Sequence, residues 1–299
     1  MLLYLSTPTF YDSLLAATKD VYERHNIVLK YLTSFWNYTT WNKREEKFKI
    51  KEEYKTLESL RKFTKETGIP MKLMLDSGVF SARLKGMKIP NELLAEFYHK
   101  NSDLFNIVMT NDEGTPETQI ENTRILKSLG VPVVGIYHPG SIERPFMTEN
   151  HLQQLLELTD FNSIAMFTIP KSKRMFEVDR MFNFIYKHGY EKNKIHMLGI
   201  ESANYLLRFP FYSADATSFL RDGFTGCWSM WDDKRLKIDR INVKDNINYC
   251  IRKNMMLVNG VECEKNIHTG VRMYENIYIR SIYQKFLTDV WQKRGIEWS

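Results

Sequence analysis

The chain has 299 residues, 43% of them hydrophobic and 26% charged, which suits a soluble globular protein of one large domain or two small ones. No apolar run approaches the ~18 residues of a membrane span, which argues against a membrane protein. Three widely spaced cysteines, Cys227, Cys250 and Cys263, argue against a disulfide framework and for a reducing cytosol.

The net charge is +6, and the sequence carries 16 Tyr and 6 Trp. Basic residues beside aromatic rings point to nucleic acid, with an ordinary solvated surface as the alternative. The opening MLLYLSTPTF lacks a basic n-region and a cleavage site and reads as a first strand, Leu2 to Leu5, rather than a signal peptide.

Ser13 to Arg24 is predicted helical, and Val28 to Trp36 is apolar and ambiguous between strand and helix. Asn42 to Thr67 reads as one long charged helix stopped by Gly68, its KREEKFKIKEEYK section a solvated face more than a nucleic-acid contact. A strand at Lys72 to Leu75 ends in Asp76-Ser77-Gly78, and a helix follows from Pro90 to Lys100. The next strand, Phe105 to Thr110, runs into Asn111-Asp112, and a helix spans Thr115 to Leu129. The strand Val131 to Tyr137 is followed by His138-Pro139-Gly140 and a helix from Thr148 to Leu158. A strand at Ser163 to Ile169 and a helix at Arg174 to His188 come next. Ile195 to Ile200 and Phe211 to Ala216 read as two short strands around a helical turn.

Strands alternating with helices of this length imply βαβ units and a parallel sheet. The count favours a single-domain α/β protein, an irregular (β/α)8 TIM-like barrel, with the eighth strand sought in Thr225 to Trp231. A doubly wound sheet is the alternative, but no G-x-G-x-x-G follows a strand. The barrel core is expected over about residues 1–231. Residues 232–299 form a C-terminal extension whose helix, Thr269 to Arg294, packs on the barrel in preference to docking a partner.

Asp76, Asp112 and Asp215 each fall at the end of an expected strand, where barrel chemistry converges, and His138 and His196 lie near the same rim. Each Asp alone has a bland reading; Asp215 could cap a helix from Ala216 to Leu220. Taken together, three carboxylates fit glycosyl transfer. One attacks or stabilises the sugar carbon, one moves a proton, and an acceptor reads the donor edge of guanine.

Five segments resemble motifs of the tRNA-guanine transglycosylase family in the family's order. MLDSGVFSA (Met74 to Ala82) is similar to TDSGGFQ, NIVMTNDEGTP (Asn106 to Pro116) to VMAFDEC, and VVGIYHPG (Val133 to Gly140) to GIVQGG. HMLGIES (His196 to Ser202) resembles YLMGVG, and FYSADATSF (Phe211 to Phe219) resembles MFDCVLPT. The family is a TIM barrel that exchanges guanine in nucleic acid for a 7-deazaguanine. The resemblance implies Asp215 as nucleophile, Asp76 as proton-handling carboxylate and Asp112 as reader of the guanine edge. It further implies Ser77, Gly78, Gly135 and His138 around the base, Gly199 and Ile200 as pocket floor, and Tyr137 or Met166 as a stacking partner; His196, from its place near the same rim, is expected to contact the base as well.

The sequence departs from the family at Val79 (a Gly there), Ser81 (a Gln) and His138 (a base-contacting Gln), and only faintly echoes the Gly-rich segment at Ile164 to Phe167. The family's zinc cluster is absent, since Cys250, Cys263 and His268 contain no close pair. No zinc subdomain, metal or other cofactor is therefore expected.

These departures resemble the phage and bacterial branch that inserts 7-deazaguanines such as preQ0 into DNA. The implied partners are DNA, alternatively tRNA, and the 7-deazaguanine as co-substrate, with a homodimer or partner protein also open and a cytoplasmic site, the host's if phage-encoded. A nucleosidase or glycoside hydrolase and a non-catalytic nucleic-acid-binding subunit are the other readings.

Overall fold

A computed structural model describes residues 1–7, 9–42, 47–51, 55–139, 147–167, 169–232, 234–242 and 269–298. In chain order the elements are β1 (Leu2–Ser6), α1 (Asp12–His25), β2 (Lys30–Ser34), β3 (Thr39–Asn42), β4 (Lys47–Ile50), α2 (Lys55–Thr67), β5 (Leu73–Asp76), α3 (Val79–Arg83), α4 (Asn91–Lys100) and β6 (Phe105–Met109). Then come α5 (Pro116–Ser128), β7 (Val133–Tyr137), α6 (Glu149–Leu158), β8 (Phe161–Ala165), α7 (Lys171–Lys187), β9 (Lys194–Leu198), α8 (Ala203–Leu206), β10 (Ser213–Ala216) and α9 (Ser218–Phe224). β11 (Cys227–Asp232), β12 (Lys237–Asn242) and a last helix, α10 (Thr269–Lys293), complete the described chain.

Eight parallel strands close into a barrel in the order β1-β10-β9-β8-β7-β6-β5-β2. The helices between them bury one face against the strands, as in a TIM barrel. Alternation along each strand separates two apolar layers. Tyr4, Leu32, Met74, Met109, Val134, Ile136, Phe161 and Ala165 fill the barrel interior. Their strand neighbours, among them Leu5, Tyr31, Leu75, Tyr137, Ile164 and Ala214, pack outward against the helices.

The eighth strand is not at residues 225–231. It is β2, inside the stretch that read ambiguously. Tyr31 packs outward and Leu32 inward, both buried, so the strand is covered on both faces and shows no alternation. β11 instead pairs antiparallel with β12 in a separate hairpin.

The long charged helix expected over Asn42 to Thr67 is also corrected, because among the described residues of that stretch only Lys55–Thr67 is helical. Lys47–Ile50 is a strand paired with Thr39–Asn42. Lys47-Phe48-Lys49-Ile50 alternates with the period of a strand, and Phe48 sits edge-on to Trp36 and Trp41. β8 begins two residues earlier than expected and ends at Ala165, where a turn closed by the Ile169 amide on the Met166 carbonyl leads into α7.

The C-terminal helix packs on the barrel, as expected. Gln284 accepts from the Leu3 amide at 2.8 Å, and Trp291 Nε1 donates to the Leu206 carbonyl at 2.8 Å. Arg280 is only 2% exposed. Its Nη2 donates to Glu201 Oε1 at 2.9 Å and Ser218 Oγ at 2.7 Å, and its Nη1 donates to Ser229 Oγ at 2.9 Å. Among the described residues no helix is long and apolar enough to cross a membrane.

Removing one partner of a buried ionic network strands the other, at a cost of about 3–5 kcal/mol. Arg280→Ala is expected to lose that much in urea denaturation. A loss below about 1 kcal/mol would show that α10 is not anchored through this residue.

Candidate active site

The C-terminal ends of the barrel strands form one mouth, and their last inward positions are polar around most of it. Going round from β10, these are Asp215, Ser6 on β1, Ser34 on β2, Asp76 on β5, Asp112 after β6 and His138 after β7. Asp76 lies within electrostatic reach of both Asp112 and Asp215.

Asp215 sits inside β10, opposite Tyr4 of β1, and helix α9 starts three residues later with Thr217 as its cap. The capping role is thereby excluded. Its carboxylate is 6% exposed and fixed by three donors. Ser6 Oγ donates to Oδ2 at 2.6 Å, the Gly199 amide to Oδ1 at 2.6 Å, and His196 Nε2 reaches Oδ1 at 3.2 Å. Gly199 has φ +72, a left-handed conformation that suits glycine and turns its N–H onto the carboxylate.

His196 is not at the rim, where it was expected to meet the base. It lies fully buried one layer down, with Nδ1 2.8 Å from Ser213 Oγ and its ring edge-on to Tyr4. With the Ser213 hydroxyl donating to Nδ1, Nε2 carries the proton and donates to Asp215. His196 therefore orients Asp215 from beneath.

Asp76 ends β5 directly opposite Ser34, and its Oδ2 accepts from the Gly78 amide at 3.1 Å. Burial pushes its pKa up to about 6. The Ser34 hydroxyl and Gly78 amide pull it down, while the charges of Asp112 and Asp215 push it up. Gly78 is required by space as well as by its φ of +78, because a Cβ there would lie 2.7 Å from the Trp36 nitrogen. Ser77 is buried beside it.

Asp112 Oδ2 lies 2.8 Å from His138 Nε2, and the His138 ring is 1% exposed. The Phe167 ring stands edge-on to His138 at 6.3 Å and edge-on to Phe80 at 5.8 Å. Phe80 and Phe167 are about half exposed, a pair of rings at an otherwise polar mouth.

Four expected site residues face away from it. β7 turns Ile136 inward, so Gly135 and Tyr137 point to the helix layer. A Cβ on Gly135 would meet Asn162, Leu155 and Thr159, and the Tyr137 hydroxyl lies 3.4 Å from Arg180 Nη2 on α7. Met166 and Ile200 pack into the same outer cluster. Tyr137 and Met166 thus have no route to stack on a ligand, and Gly199 serves Asp215 through its amide with Ile200 turned outward.

The residues missed were Ser6, Ser34, Phe80 and Phe167. Ser6 and Ser34 lie two positions beyond the inward-facing Tyr4 and Leu32, so alternation along correctly placed strands points to them. Among the described residues no group of three or more His, Cys, Asp or Glu could hold a metal ion. Cys250, Cys263 and His268 lie outside the described residues.

No family profile matches the chain, and no curated protein matches its sequence. Among solved structures, a chain described as a fructose-1,6-biphosphate aldolase from Coccidioides immitis is similar at TM-score 0.50 and 9% identity, covering 98% of this chain and 90% of that one. The tryptophan synthase A-subunit of Pyrococcus furiosus is similar at TM-score 0.43 and 15% identity, covering 76% and 91%. At these identities the likeness to the aldolase is one of fold, the TIM barrel.

A carboxyl whose pKa rises from 3.8 to about 6 on folding binds more protons in the native state between those values. Its contribution is therefore present below about pH 4, lost as pH rises towards 6, and flat above that. Two units correspond to roughly 3 kcal/mol at most. In urea denaturation at pH 4, 5, 6 and 7, Asp76→Asn is expected to flatten the pH 4–6 slope and to gain stability relative to wild type as pH rises. Parallel curves would contradict the assigned environment.

Proposed function

We propose that the chain is a base-exchange glycosyltransferase that replaces guanine in DNA with a 7-deazaguanine of the preQ0 type. The observation that carries the reading is the contrast between two carboxylates at one barrel mouth. Asp215 is held rigid by three donors, as an in-line nucleophile needs. Asp76 has its pKa raised to about 6, near the operating range of a group that must both give and take a proton. Asp112 supplies the third carboxylate, and the resemblance to the transglycosylase motifs assigns these same three positions.

In this mechanism the target nucleotide is flipped from its stack into the mouth. Asp112 accepts from the N1–H and N2–H donors of guanine. Asp215 attacks C1′; the C1′–N9 bond breaks as Asp76 gives its proton to the departing base. The 7-deazaguanine enters, Asp76 takes the N9 proton, and N9 displaces Asp215 from C1′. Two inversions give retention, as in a retaining glycosidase. Asp76 ends protonated, as it began, and the carboxylates carry both half-reactions without a redox cofactor. Phe167 beside His138, with Phe80 against it, would supply apolar cover to the site. The +6 charge, and exposed Lys85 and Lys88 on the loop after α3, favour a polyanionic partner.

The test is incubation with labelled preQ0 and either duplex DNA, single-stranded DNA or tRNA. Label is expected in DNA, and Asp215→Asn is expected to lose at least about 10³-fold in rate. Label in tRNA alone would overturn the DNA assignment. Abasic sites without label would make the protein a hydrolase, and full activity in Asp215→Asn would remove the proposed nucleophile.

A further inference from the structure

Exposed apolar side chains scattered singly need no explanation, but a row of them leading out of a site does. Phe167 stands edge-on to His138 at the mouth, and Phe80 stands edge-on to Phe167 at 5.8 Å. Leu84 lies one helical turn beyond Phe80, its amide bonded to the Phe80 carbonyl at 3.2 Å. Residues four apart share a helix face, so Phe80 and Leu84 form one apolar ridge on α3. Phe167 is 47% exposed, Phe80 51% and Leu84 70%, the highest value among the large hydrophobic side chains of the described residues.

The local fold enforces this exposure. Val79 and Ala82, on the opposite side of α3, are each 1% exposed and anchor it. Past Leu84 the chain turns back at once. The Lys85 and Met87 amides both bond the Ala82 carbonyl, at 2.9 and 3.0 Å, and Gly86 takes a φ of +68. Leu84 is therefore held at the crest of a tight turn. Its surroundings are cationic, with the Arg83 guanidinium 5.8 Å from the centre of the Phe80 ring and Lys85 and Lys88 exposed. None of these three makes an ion pair among the described residues. An apolar tip set among unpaired cations suits a partner with an anionic backbone and an apolar stack inside it, which is a nucleic-acid strand. A second copy of this chain, with the same net charge of +6, matches it less well.

Resting on the base-exchange reading above, we propose that Leu84, backed by Phe80, is a wedge that enters duplex DNA beside the target nucleotide and fills the gap left when guanine swings into the mouth. The need is specific to a duplex. An extruded guanine leaves behind its pairing partner and a broken stack that closes again. An apolar side chain in the vacated space opposes that closure. A single strand has no partner to re-pair with and needs the wedge far less.

The test is exchange of labelled preQ0 into one target guanine in three settings: paired with cytosine in a duplex, opposite an abasic residue in a duplex, and in single-stranded DNA. Leu84→Ala is expected to lose about 10-fold in rate on the paired duplex and only about 2-fold on the other two substrates. Leu84→Met, which keeps an apolar tip, is expected to recover most of the loss. A loss of equal size on all three substrates, or no loss on the paired duplex, would overturn the wedge while leaving base exchange standing. Wild type that exchanges single-stranded DNA alone would do the same. Sedimentation of both proteins completes the test, since a wild-type dimer split by Leu84→Ala would assign the ridge to a second copy instead. Wild type that exchanges no DNA at all would overturn both the wedge and the base-exchange reading.

Discussion

The pairing of β1 with both β2 and β10 is the constraint on which the rest depends. It closes the sheet, and in doing so sets Asp215 and Asp76 across two intervening strands, β1 and β2, whose rim residues are Ser6 and Ser34. Those two hydroxyls have different consequences. Ser6 bonds Asp215 directly. Ser34 opposes the burial that raises Asp76, without cancelling it. Two chemically identical side chains thus acquire different environments from the closure of one barrel, and that difference is the basis of the proposed division of labour.

Closure is reinforced from outside. The C-terminal helix bonds β1 through Gln284 and reaches the β9 and β10 loops through Arg280, Glu201 and Ser218. Glu201 lies two residues past Gly199, and Ser218 three past Asp215. The extension therefore braces the two loops that hold the Asp215 carboxylate, which gives the tail a structural role beyond covering apolar surface.

Much of this was legible in the sequence because the βαβ rhythm depends on local periodicity. The barrel and the rim positions of Asp76, Asp112 and Asp215 follow from strands that end in carboxylates. What was lost was lost for identifiable reasons. β2 is buried on both faces and carries no alternation, so the eighth strand was sought in Thr225 to Trp231, a segment that pairs elsewhere. Lys47 to Ile50 was absorbed into a helix because its charges mask a period of two. Tyr137 and Met166 were expected in the site by their chemistry, but the period of a strand places them on the outer face. His196 was expected at the rim because its depth in the barrel depends on register, which only the paired strands supply. Phe167 became visible only once β8 was seen to end at Ala165.

The central claim is that Asp215 becomes covalently bound to a sugar. The direct measurement is peptide mapping by mass spectrometry after the protein is mixed with a guanine-containing oligonucleotide and quenched in denaturant. The account predicts a deoxyribose-linked adduct on the peptide that contains Asp215, abolished by excess free guanine, which reverses the first step. An adduct on another residue, or base loss with no adduct, would contradict it.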